Sequence, residues 1–115
     1  MRTLTLMMIG LFLSLKISAQ STIVTTTISV KGNCGECKER IENAADIKGV
    51  KLCKWDEKTK IASIKYDSKK TNLEAIEKSI AKAGYQTQNE KANASAYAKL
   101  PKCCQYEGGR GTENT

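Results

Sequence analysis

Between Ile23 and Val30 the chain alternates, with Ile28 and Val30 on one side and Thr27 and Ser29 on the other, a pattern that predicts a β-strand. Lys31, Gly32, Asn33 and Gly35 break the alternation. Small and apolar residues then return at helical spacing as Cys37, Ile41, Ala44 and Ala45, so a helix is expected from about Cys34. Asn33 is the expected N-cap, and Glu36 and Glu39 suit the positive end of the helix dipole. Gly49 closes that unit. Val50 to Trp55 and Ile61 to Tyr66 are two further alternating runs, joined by the polar segment Asp56 to Lys60, and read as a hairpin. A capping box at Thr71 and Glu74 opens a second helix whose apolar face is Leu73, Ile76, Ile80 and Ala83, with Gly84 as its stop. Tyr85 to Gln88 supplies a short last strand.

The order strand, helix, strand, strand, helix, strand predicts an α+β fold of the ferredoxin-like βαββαβ type, a four-stranded antiparallel sheet with two helices on one face. Beyond it, residues 89–107 read as a linker followed by a Cys-Cys segment at Cys103 and Cys104, and residues 108–115 as a disordered tail. Ahead of it, residues 1–19 have the pattern of a secretory signal peptide: Arg2, an apolar run from Leu4 to Leu15, then small Ser18 and Ala19. That run is shorter than the ~20 apolar residues a membrane span needs, so cleavage near Ala19, a periplasmic location and no stable membrane insertion afterwards are expected.

Composition changes the picture once that segment is set aside. All three methionines and the single phenylalanine lie within it, and the chain has no histidine. Loss of Arg2 and Lys16 trims the net charge from +7 by two, leaving scattered lysines rather than the dense basic run with aromatics that nucleic-acid binding requires. The ~96 residues that remain suit one small domain with a modest core. Its five cysteines, Cys34, Cys37, Cys53, Cys103 and Cys104, are an odd number, so in an oxidising compartment they cannot all pair within the chain.

Cys34 and Cys37 stand one helical turn apart where a strand becomes a helix. Both sulfurs can face one point there, and the helix amides favour thiolate. Two thiolates suit copper(I) or mercury(II), whereas structural zinc(II) takes four ligands. Cys53 and Trp55 share an alternation and read as core. Adjacent cysteines seldom bridge each other, so Cys103 and Cys104 could instead lend a third or fourth thiolate to the first pair, bind a separate ion, or oxidise with another molecule.

These residues resemble the heavy-metal-associated domains of copper chaperones, the periplasmic mercury-binding protein and metal-transporting P-type ATPases. The resemblance covers residues 22–88 and rests on Val-Lys-Gly-Asn-Cys-Gly-Glu-Cys from Val30, Gly49-Val50, Tyr66-Asp67 and Ala83-Gly84-Tyr85. It implies that Cys34 and Cys37 are the metal ligands, with Asn33, Gly35, Glu36 and Tyr85 around the metal loop. It also implies transfer of the ion to a P-type ATPase or other metal-accepting protein through a shared three-thiolate intermediate. The chain departs from the family in having Gly32-Asn33 where many members carry Met-Thr, the Met of which packs under the loop. The expected function is therefore an exported soft-metal chaperone or scavenger, not an enzyme, whose exposed thiols would also permit a metal-bridged dimer. Two alternatives use the same cysteines: a thiol-disulfide oxidoreductase acting through Cys34 and Cys37, and a zinc module of Cys34, Cys37, Cys103 and Cys104.

Overall fold

The computed structural model describes residues 22–107, so the signal segment and the tail both lie outside the described residues. Three strands, β1 (Ile23–Ser29), β2 (Val50–Trp55) and β3 (Ile61–Asp67), form an antiparallel sheet in the order β1-β3-β2. Helices α1 (Gly35–Ala45) and α2 (Leu73–Lys82) follow β1 and β3. The register pairs Ile28 with Ala62 and Trp55 with Ala62, which puts the apolar residues of all three strands on one face. Ile41 of α1 and Ile76 and Ile80 of α2 cover that face, while threonines, serines and lysines occupy the other.

The fold is α+β with two helices on a sheet, as expected, but among the described residues the sheet has three strands rather than four. In place of the predicted last strand stands a single antiparallel bridge, Val30 to Thr87, flanked by Lys31 N–H to Gln86 O and Gln88 N–H to Ser29 O at 2.9 and 3.0 Å. Side chains take the groups that would extend it. The Ser29 N–H donates to Gln88 Oε1, and the Gln86 N–H donates to the Tyr106 hydroxyl. With those donors occupied the ladder stops at both ends.

Two caps also differ from expectation. Cys34, in extended conformation, takes the N-cap position of α1, and no side chain bonds there; Asn33 instead directs its N–H at Cys37 Sγ, 3.4 Å away. Asn72 rather than Thr71 caps α2, its Oδ1 accepting from the Ala75 N–H at 2.8 Å. The Thr71 methyl is occupied elsewhere, packed against Gly49 at φ 97°. The hairpin is closed by Asp56, whose Oδ1 accepts from the N–H groups of Lys58 and Thr59 and is held below its ordinary pKa by them.

The stretch read as linker and Cys-Cys segment is packed onto this core. A short helix, α3 (Ala94–Ala98), lies over Gly84, and a 3-10 turn spans Lys102–Cys104. At φ 104° Gly84 ends α2, and a Cβ there would meet the Tyr97 nitrogen at 2.9 Å. Tyr97, Leu100 and Cys104 are buried in the same cluster as the sheet and the two main helices. Buried Glu77 receives the Asn89 amide on both carboxylate oxygens, which ties α2 to the approach to α3.

Below the loop between β1 and α1 lies Trp55, fully buried, its Nε1–H donating to Val30 O at 2.9 Å. Its ring edge takes the space next to Gly32, where a Cβ would lie 2.9 Å from Trp55 Cζ2 and 3.1 Å from Ile41 Cδ1. Gly32→Ala is therefore expected to lower stability by about 1–3 kcal/mol through overpacking. Urea unfolding of the reduced protein checks this, and an unchanged midpoint would show that the loop does not rest on the indole.

Candidate metal centre

Cys34 and Cys37 come together as their spacing suggests. The N-cap position sets the first sulfur above the opening turn of α1, and the third helical residue sets the second beneath it, leaving Sγ atoms 3.4 Å apart. Cys37 is fully buried, while Cys34 remains partly exposed. One sulfur thus anchors the site inside and the other meets solvent.

The C-terminal cysteines arrive from the far end of the chain. Cys103 Sγ lies 3.0 Å from Cys34 Sγ and 3.3 Å from Glu36 Oε2, on the exposed side. Cys104 Sγ points the other way into the core, 3.8 Å from Cys34 Sγ, and the sulfurs of Cys34, Cys37 and Cys104 all lie within 4.8 Å of one another. Cys53 stands apart, half-buried on β2, with burial pushing its thiol up to about 11.

Electrostatics single out Cys34. The Cys103 thiol against its sulfur, together with the backbone amides of Cys37 and Glu36, outweighs partial burial and lowers its pKa from 9.0 to about 7. The same contact raises Cys103 to about 11, with Glu36 adding to the rise, and burial raises Cys104 further still. Of Cys34, Cys103 and Cys104, it is Cys34 that gives up its proton most readily.

Tyr85 stands beside this cluster, completely buried. Desolvation and the neighbouring Cys104 and Cys37 thiols push its hydroxyl well above the ordinary phenol range. Among the described residues that hydroxyl makes no well-formed hydrogen bond, and the polar groups it faces are the Cys104 and Cys37 thiols. Of the other loop residues, Asn33 donates its N–H toward Cys37 Sγ, Glu36 accepts from Cys103 and pairs with Arg40 at 3.9 Å, and Gly35 faces open space.

Sequence reasoning missed the support of the second cysteine segment. Tyr106 donates to Gly84 O, Tyr97 accepts from the Glu107 N–H, and the two rings meet edge to face at 4.8 Å. Three of the four tyrosines, Tyr85, Tyr97 and Tyr106, cluster here, and their concentration near Cys103 and Cys104 was the available signal.

With the geometry in view, the comparisons with known proteins decide the family. The family model described as Heavy-metal-associated domain matches residues 27–86, more than half of the chain. The chain belongs to the heavy-metal-associated domain family. Among solved structures it is similar to the CopZ metallochaperone, at 27% identity and TM-score 0.54 over 56% of this chain and 98% of that one. It is likewise similar to oxidized MerP from Ralstonia metallidurans CH34, at 29% identity and TM-score 0.54 over 57% and 94%. The N-terminal domain of a potential copper-translocating P-type ATPase from Bacillus subtilis, at 20% identity and TM-score 0.51 over 60% and 95%, shares the fold. No curated protein sequence matches. The matched region ends before Cys103, so this heavy-metal-associated domain carries its C-terminal thiols as an addition to the family's unit.

In the reduced, metal-free protein, alkylation by iodoacetamide should label Cys34 first, with a pH–rate midpoint near 7. Thiolate is the reactive form, so the rate rises as pH passes through that value. Cys103→Ala removes the leading cause of the depression and should move the midpoint upward, as peptide mapping across a pH series would show; a midpoint unmoved would dissociate the two residues.

Proposed function

We propose that this heavy-metal-associated domain protein is an exported carrier of a soft metal ion. It holds one copper(I) ion, or mercury(II), on the Cys34 and Cys37 thiolates and passes it on by thiolate exchange. The observation that carries this reading is the pair of sulfurs 3.4 Å apart at the head of α1, one buried and one open to solvent. Thiolate is a soft donor and selects ions of this kind over hard cations, and residues 22–107 contain neither His nor Met to offer other metal chemistry. Of the pair, the partly exposed Cys34 is the sulfur an acceptor's thiolate can reach. By family resemblance the acceptor is a metal-transporting P-type ATPase or another metal-accepting protein.

We read the chain as a binding protein and not an enzyme. It has no histidine to act as a general base, and its one thiol with a lowered pKa, Cys34, belongs to the cysteine pair itself. Export to the periplasm rests on the pattern of residues 1–19, and removal of that segment is what an intact mass of the exported protein would reveal. No helix among the described residues is long and apolar enough to cross a membrane.

Titration of the reduced protein, lacking residues 1–19, with copper(I), mercury(II) and zinc(II) against a competing chelator tests the reading. One equivalent of copper(I) should bind tightly, and Cys34→Ser/Cys37→Ser should weaken it by about 100-fold or more, since even outer contacts of a metal site are worth 10–100-fold. Catalytic turnover of a disulfide substrate without tight metal binding would contradict it.

A further inference from the structure

Adjacent in sequence, Cys103 and Cys104 are opposite in placement. The 3-10 turn, closed by the Cys104 N–H to Pro101 O at 2.8 Å, sends one thiol to solvent and buries the other completely. The buried sulfur joins Cys34 and Cys37 in a triangle; Cys103 stays outside it, on Cys34 and Glu36.

We propose that Cys104 is a third ligand, so that a soft ion is held by three thiolates of this one chain, Cys34, Cys37 and Cys104, in a site closed by the C-terminal segment. This rests on the reading of Cys34 and Cys37 as metal ligands and adds a coordination number and a retaining element to it.

Size is the first argument. With metal–sulfur bonds of about 2.3 Å, a trigonal site needs sulfurs about 4.0 Å apart, whereas a linear two-sulfur site needs about 4.6 Å. The pair Cys34–Cys37 at 3.4 Å and the pair Cys34–Cys104 at 3.8 Å are nearer the trigonal figure. Small outward movements of the Cys37 and Cys104 sulfurs from Cys34 would bring both pairs to that figure.

Tyr85 gives the second, independent argument. Its hydroxyl is fully buried with no well-formed hydrogen bond among the described residues, and the groups it faces are the Cys104 and Cys37 thiols. A protonated thiol is a poor acceptor, but a metal-bound thiolate is a good one, and a charge-assisted bond from Tyr85 would satisfy the stranded donor.

Third, the segment that brings Cys104 is fastened by contacts of its own. Tyr106 donates to Gly84 O and accepts from the Gln86 N–H, the Glu107 N–H donates to Tyr97, and Tyr97 and Leu100 are buried. The entropic cost of gathering the third ligand is met by the fold, not by the metal. As three metal–sulfur bonds form, each thiol gives its proton to water, and a copper(I) ion with three thiolates carries a net charge of −2. An incoming thiol from another protein would find the third position filled, so this chain should release its ion more slowly than a two-thiolate site, and should stay monomeric when loaded.

X-ray absorption of the wild-type protein carrying one equivalent of copper(I) tests the assignment. Three sulfur neighbours are expected in the wild type and in Cys103→Ser; two, at shorter distance, are expected in Cys104→Ser, with affinity against a chelator at least ten-fold lower. Circular dichroism and melting of metal-free Cys104→Ser verify that it folds; if it does not, the wild-type and Cys103→Ser spectra together decide the matter, and loss of the third sulfur in Cys103→Ser would overturn the proposal. Two sulfurs in the wild type, or four, would overturn the proposal. Copper(I) retained by Cys34→Ser/Cys37→Ser would instead overturn the reading beneath it.

Discussion

The edge of the Trp55 indole against Gly32 holds down the loop on which the thiols depend. With no Cβ at residue 32, the backbone can settle on the ring, and the indole N–H fastens the arrangement by donating to Val30 O, the last residue before the loop. From there the chain turns directly into α1, so Cys34 falls at the cap and Cys37 beneath it. A tryptophan from β2 fills the space beneath this loop from the sheet side. The same ring packs on Ile41 of α1 through that shared corner, and Lys60 lies over its other side at 5.3 Å. Loop, helix and hairpin are thereby keyed to one side chain.

A second set of contacts binds the C-terminal segment to the site. Tyr106 occupies the Gln86 N–H, which shortens the sheet edge at Val30 and Thr87, and its own hydroxyl proton goes to Gly84 O. What the sheet loses in ladder bonds it regains as a dock for Tyr97, Leu100 and Cys104. The truncated fourth strand and the approach of Cys104 to the metal loop are two results of the same packing.

Much of this was legible in the chain because periodicity and punctuation agree. Alternation marked β1, β2 and β3, the 3.6-residue spacing marked α2, and Gly84 marked its end. Cys34 and Cys37 could be placed on one loop by local spacing alone. The fourth strand was misjudged because the short run Tyr85 to Gln88 says nothing of the Gln88 and Tyr106 side chains that take the backbone donors of Ser29 and Gln86. Asn33 was misjudged as a cap because an extended Cys34 serves that position without a side-chain bond. How Cys104 would reach Cys37, 67 residues earlier, depends on tertiary contacts of Tyr97 and Tyr106 that no local pattern records. Only the crowding of tyrosines and Pro101 near the second cysteine pair hinted that this segment is built into the domain.

The central claim is that one soft ion is gripped where these two parts of the chain meet. Amide NMR spectra of the reduced, nitrogen-15-labelled protein, recorded before and after one equivalent of copper(I), test it most directly. The account predicts shifts in Gly32 to Cys37, at Tyr85 and in Cys103 to Tyr106, with Cys53 and the α2 amides of Leu73 to Ser79 unmoved. Shifts centred on Cys53, or a spectrum unchanged across both cysteine segments, would contradict it.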